Sequence, residues 1–319
     1  MMSVASSPTS DTGHMPDRRT KISRTRWIAG GTACVLVTVA ITAGGVILGS
    51  HLSSRPMSSP QSTNPTTQAP ASSSPPTITG TASSNLAADF ATLQAQLHGP
   101  VGIAVTAVGA GQPPITLGDL QSGPAWSTIK VPLVIAALRE EQQPTVTDAM
   151  RAAITESDNA AAESIWASLG DPATAARKVD AVLRETGDPT TVQSQRVRQE
   201  FSAFGQTEWP LADQVRFISV AVCDKTNAPV FALMGQVQTD QRWGLGALPG
   251  SRFKGGWGPS PTGSYLVRQM GVLVGPAGMI AVALAAQPAS GKFDDGVAAL
   301  TEMATWLTEH LSSLPAGHC

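Results

Sequence analysis

The chain of 319 residues is poor in the side chains from which most catalytic and metal sites are built. It has one tyrosine, three cysteines and five histidines, and only 14% of it is charged. The cysteines (Cys34, Cys223, Cys319) form no C-x-x-C pair, and the histidines (His14, His51, His98, His310, His318) are scattered, so no metal-ligand cluster can be read from spacing. Neither a metal nor any other cofactor is expected. With no histidine in the central stretch, the usual base of a Ser-His-Asp enzyme is missing. A net charge of -2 gives no electrostatic case for a nucleic-acid partner.

What the chain does have is a marked change of composition along its length. Residues 1–26 are polar and end on Arg18, Arg19, Lys21, Arg24 and Arg26. Residues 27–49 then run without a charge, long enough to cross a bilayer as a helix. The basic flank predicts a cytoplasmic tail and a single-pass anchor in the cell membrane, with the C-terminal part extracytoplasmic. A cleaved signal peptide and a secreted product is the alternative. Residues 50–84 are Ser, Thr, Pro, Gln and Asn with almost no large apolar side chain, the composition of a disordered linker. The folded domain is then 85–319. In an exported domain Cys223 and Cys319 are free to pair, although spacing alone does not show that they do.

Within 85–319, hydrophobic patterning predicts a helix over 85–97 and a hairpin of strands at 101–105 and 115–117. A helix follows from 126, then a helix-rich stretch over 145–183 broken at Gly170-Asp171-Pro172, and helices over 210–222 and 230–237. Strands are expected at 253–257, 267–274 and 279–286, and a closing helix over 293–311. Strands at both ends with helices between imply an α/β (α+β) domain, with one antiparallel sheet built from the two termini and a helical insertion.

Three short motifs carry chemistry. In Trp126-Ser127-Thr128-Ile129-Lys130-Val131-Pro132, a serine and a lysine three apart fall on one face of a helix, where a desolvated amine can take the serine proton. Pro132, past the first turn of such a helix, would lose one backbone hydrogen bond. A second Ser-x-x-Lys, Ser251 to Lys254, sits in an expected strand, where residues three apart point to opposite faces. Ser157-Asp158-Asn159 sets a hydroxyl beside an amide, although the same residues suit a helix cap. Phe253-Lys254-Gly255-Gly256-Trp257 puts two glycines in a strand, a mark of a bulge or of close approach by a ligand or another backbone.

In this order the three motifs follow the S-x-x-K, S-D-N and K-T-G set of serine β-lactamases and penicillin-binding proteins. The chain resembles class A β-lactamases and the related DD-peptidases over nearly all of 85–319. The resemblance implies that Ser127 is acylated, that Lys130 is its base and that Ser157 relays a proton to the leaving atom. It implies that Asn159 and Lys254 contact the substrate beside Gly256 and Trp257, with the amides of Ser127 and Trp257 as oxyanion hole. Arg268 falls where many such enzymes keep a carboxylate-binding arginine, and an exposed strand arginine is the plainer reading of the same residue. The implied partner is a cell-wall peptide or a β-lactam. Nothing in the sequence speaks to oligomeric state.

The departures bear on turnover. Gly255 stands where the family has Thr or Ser, Trp257 replaces a small residue, and the segment between Lys130 and Ser157 is short, which implies a reduced helical subdomain. Residues 193–210 lack the Glu-Pro-Glu-Leu-Asn run whose first Glu activates the deacylating water; Glu200 and Glu208 are the acids there. Weak or absent β-lactamase turnover is therefore expected. Two other readings stay open: a domain that keeps the fold and only binds cell-wall components, and an active class A-like enzyme using Glu200 or Glu208.

Overall fold

A computed structural model describes residues 80–319 except 110 and 141–144, with side chains from 85 onward. The expected basic tail, the 27–49 anchor and the linker up to 79 lie outside the described residues. Among the described residues, no single helix is long and apolar enough to cross a membrane. Helix α1 (Gly80–Gln94) begins inside the stretch assigned to the linker, five residues before the expected start.

Five antiparallel strands form one sheet in the order β2-β1-β5-β4-β3. Strands β1 (Val101–Ala107) and β2 (Ile115–Gly118) come from the start of the domain and join β5 (Gly278–Ala286) from its end. Strands β3 (Arg252–Pro259) and β4 (Tyr265–Gly275) complete it, leaving β3 at an edge. The sheet is thus assembled from both termini, as the patterning implies.

Helices cover both faces, which is why β1 is buried at every position. The period-2 alternation of β5 separates them. Ile280, Val282 and Leu284 pack with Phe90 of α1 and with Leu300, Met303 and Trp306 of α8 (Phe293–Glu309). Ala281, Ala283 and Ala285 face the helical layer instead, where small side chains let α6 (Leu211–Ala221) lie close to the sheet. That layer also contains α2 (Lys130–Glu140), α3 (Asp148–Thr155), α4 (Asn159–Ser168), α5 (Pro172–Glu185) and α7 (Ala228–Met234). The C-terminal segment pairs with β5 through Met279 and Gly317, and a disulfide joins Cys223, just past α6, to Cys319.

Two local differences from the sequence reading matter for the site. The segment 126–129 is one turn of 3-10 helix, and the α-helical register starts only at Lys130. Pro132 therefore lies in the first turn of α2, where a proline is tolerated.

Candidate active site

The 3-10 turn presents Ser127. Trp126, the residue before it, has φ 48, a left-handed conformation that a bulky side chain adopts only under constraint. The constraint comes from both sides. The Trp126 ring packs edge-on against Phe201 at 5.1 Å, and a Cβ on Gly258 would come within 2.5 Å of it. Below the turn, Ala125 N–H donates to the Thr207 carbonyl at 2.7 Å, and Thr128 Oγ1 donates to the Ala125 carbonyl at 2.6 Å. Strand β3 presses on the same turn: a Cβ on Gly256 would sit 2.8 Å from Ser127 N and 2.9 Å from the Ala125 carbonyl oxygen. Gly256 is thus the glycine that allows close approach of another backbone, whereas a Cβ on Gly255 would meet only the Trp257 and Trp243 rings, at 3.5 Å and beyond.

The Ser157-Asp158-Asn159 turn lies between α3 and α4 and serves as a cap and a site at once. Asp158 caps α4, its carboxylate accepting from Ala161 N–H at 2.6 Å. Ser157 is forced to φ 59, the second left-handed non-glycine residue among those described. Strain of this kind persists where the surroundings over-determine it, and here two lysines hold the turn. Lys130 Nζ donates to the Ser157 carbonyl at 2.6 Å and to Asn159 Oδ1 at 2.8 Å. Lys254 Nζ donates to Ser157 Oγ at 2.8 Å and to the Gly255 carbonyl at 3.0 Å.

Both amines are buried. Burial pulls Lys130 down to about 7, against the opposing fields of the Asp158 and Glu163 carboxylates. Burial, reinforced by the nearby Lys130, pulls Lys254 well below the ordinary lysine range. A neutral amine has two N–H donors and one lone pair. Lys130 spends both donors on the Ser157 turn and Asn159, which leaves the lone pair for a proton. Among the described residues the Ser127 hydroxyl has no hydrogen-bond partner, Lys130 included. The turn of Ser127, the Lys130 amine and Ser157 nevertheless open on one cavity of about 460 Å³, walled also by Asn159, Glu163, Arg196, Glu200, Phe201, Trp257 and Tyr265.

No protein-family model matches the chain, and no curated protein matches it in sequence. Solved structures do. A class A β-lactamase from Mycobacterium abscessus superposes with a TM-score of 0.52 at 18% identity, over 70% of this chain and 99% of that one. A β-lactamase from Xanthomonas campestris gives 0.56 at 19% identity, over 72% and 98%, and an ancestral class A β-lactamase gives 0.54 at 20%, over 70% and 99%. The fold is β-lactamase-like. At these identities the likeness establishes the fold alone.

Within that fold Arg268 corrects the sequence reading. It is neither a carboxylate-binding residue at the cavity nor an exposed strand arginine, because it is fully buried beneath the Ser127 turn. Its Nη1 donates to the Gly123 and Pro124 carbonyls at 2.6 and 3.0 Å, and its Nη2 to the Trp209 carbonyl and Gln214 Oε1 at 2.8 and 2.6 Å. Gln214 in turn donates to Thr128 Oγ1 at 2.9 Å. Arg268 is the base of a buried polar chain that ends at the turn presenting Ser127.

The acids of 193–210 separate. Glu200 lines the cavity but is exposed, and Arg198 bonds it at 3.0 and 3.2 Å. Its own backbone N–H and then Arg198 hold its carboxyl below the usual range. Glu208 accepts from Ser122 Oγ at 2.5 Å and does not line the cavity. The sequence reading missed Glu163, four residues past Asn159 on the same face of α4; its carboxylate is bonded by Arg196 at 2.7 Å. The i, i+4 spacing from Asn159 was the available signal.

Proposed function

We propose that this chain is a serine acyl hydrolase that is acylated at Ser127, with a cell-wall peptide or amide as substrate and β-lactams as slow ones. In the expected setting the N-terminal anchor holds the domain on the outer face of the cell membrane. The observation that carries this reading is the shared network of two desolvated lysines on one strained turn, opening on the cavity that Ser127 faces.

The chemistry follows from that network. Lys130, with its lone pair unused, takes the Ser127 proton as Oγ attacks the carbonyl carbon. The C–N bond to the leaving group breaks, and the proton passes to the leaving nitrogen through Ser157. Ser157 accepts from Lys254 and keeps its own hydroxyl proton to donate. Water then adds to the acyl carbon, the Oγ–C bond breaks and Ser127 regains a proton. No carboxylate free of an arginine partner lines the cavity among the described residues, so this second step is slow.

A fluorescent penicillin should label the full-length chain, with intact mass giving one adduct, and Ser127→Ala should abolish the label. Labelling that survives the substitution removes Ser127 from the reaction. The unbonded Ser127 hydroxyl and Gly255 favour a second reading, a cell-wall-binding domain without turnover. Hydrolysis of a thioester that depends on Lys130 would eliminate it.

A further inference from the structure

Resting on the acyl-hydrolase reading, we propose that the pocket selects an uncharged carbonyl substrate, an ester or amide with no carboxylate beside the scissile bond and an apolar or aromatic group on that side. Lys130 and Arg196 are the cations lining the cavity among the described residues, and each is committed. Lys130 bonds the Ser157 carbonyl and Asn159, and Arg196 bonds Glu163. Lys254, behind the cavity, is fully buried and bonds Ser157 Oγ and the Gly255 carbonyl. Arg268 is committed below the turn. Two carboxylates, those of Glu163 and Glu200, face the cavity. An incoming carboxylate would lose its water with no free counter-charge and would meet like charge.

The wall supplies apolar surface instead. Trp257 and Tyr265 line the cavity and are half-buried, each packed on Phe293 at 5.4 and 5.9 Å, with Trp243 behind Trp257 at 5.9 Å. The Tyr265 phenol brings a hydroxyl to this side, whereas Gly255, buried beside Trp257 and not itself part of the lining, brings none. The space there is real: a Cβ would stand at ordinary contact distance, 3.5 Å from the Trp257 ring. The absent hydroxyl is therefore not imposed by packing, unlike the absent side chain at Gly256.

The test compares benzylpenicillin with its methyl ester on the full-length chain. Acylation is followed by intact mass, and each rate is divided by the hydroxide hydrolysis rate of the same compound. The normalised ester rate should exceed that of the acid by about tenfold or more, since an unpaired charge loses its water on entry. Gly255→Ser should move the ratio toward the acid by roughly tenfold, the worth of one hydrogen bond to a charged group at the lower end. An acid rate equal to or above that of the ester overturns the proposal. If neither compound acylates Ser127, the acyl-hydrolase reading itself falls and takes this one with it.

Discussion

The floor and the rim of the cavity are built on different physical terms. On the floor, Ser157, Lys130, Lys254 and the 3-10 turn are held by buried hydrogen bonds between elements far apart in sequence, and two residues are kept in left-handed conformations. On the rim, the 193–210 segment meets the cavity through half-exposed ion pairs, Arg196 with Glu163 and Arg198 with Glu200. Such pairs contribute little stability and leave no carboxylate free to act as a base. On the proposed reaction, the groups that would form an acyl-enzyme are over-determined here, while those that would break it down are not.

The strongest way to test the floor is to remove its support from below. Arg268→Met should leave three acceptors, the Pro124 and Trp209 carbonyls and Gln214 Oε1, without a donor, and should take one of two donors from the Gly123 carbonyl, which also accepts from Trp209 N–H. A loss of about 3–5 kcal/mol in denaturant unfolding is expected, the usual result of breaking a buried charged network at one member. Arg268→Lys should recover little, since an ammonium cannot reproduce the planar fork. A variant as stable as the parent would mean that the polar chain under Ser127 is idle.

The next test reads the protonation of Lys130. With the amine lowered to about 7, the acylation rate should climb roughly tenfold per pH unit below that point and level off above it. Glu163→Gln removes a field that favours the charged amine, so the midpoint should move down. The same shift fixes a stability slope. Between about 7 and the ordinary lysine range the unfolded chain holds a proton that the folded site has released, so stability should rise with pH across that window. A flat rate profile from pH 5 to 9 would exclude Lys130 as the base.

These residues differ in how far the sequence alone could place them. Ser127, Lys130 and the Ser157 turn are legible because helix spacing and turn chemistry are local properties. The sheet was legible for a similar reason, since alternation marks each strand and the β1, β2 and β5 patterns need one another to bury both faces. Arg268 was not legible. Register puts it opposite Gly256, yet where its guanidinium goes depends on carbonyls some 54 to 145 residues away. Glu163 escaped because its partner Arg196 lies 33 residues on, in a segment without regular structure. The roles of the two glycines divided only when the 3-10 turn was seen against Gly256.

The smallest expected effect falls on the rim, and it sharpens the contrast most. A positioned general base contributes about 10²- to 10⁴-fold to its step. Glu200 is exposed and held below the usual carboxyl range by its own amide and by Arg198, which makes it a poor proton acceptor. Glu208 is bonded to Ser122 away from the cavity. Glu200→Gln combined with Glu208→Gln should therefore change the decay of the acyl-enzyme, followed by intact mass, by less than about threefold, far below the effect of losing a true base. A hundredfold slower decay in the double variant would make the rim a deacylation site. The chain would then be a working β-lactamase with its base supplied from an unexpected position, and the division between floor and rim would fail.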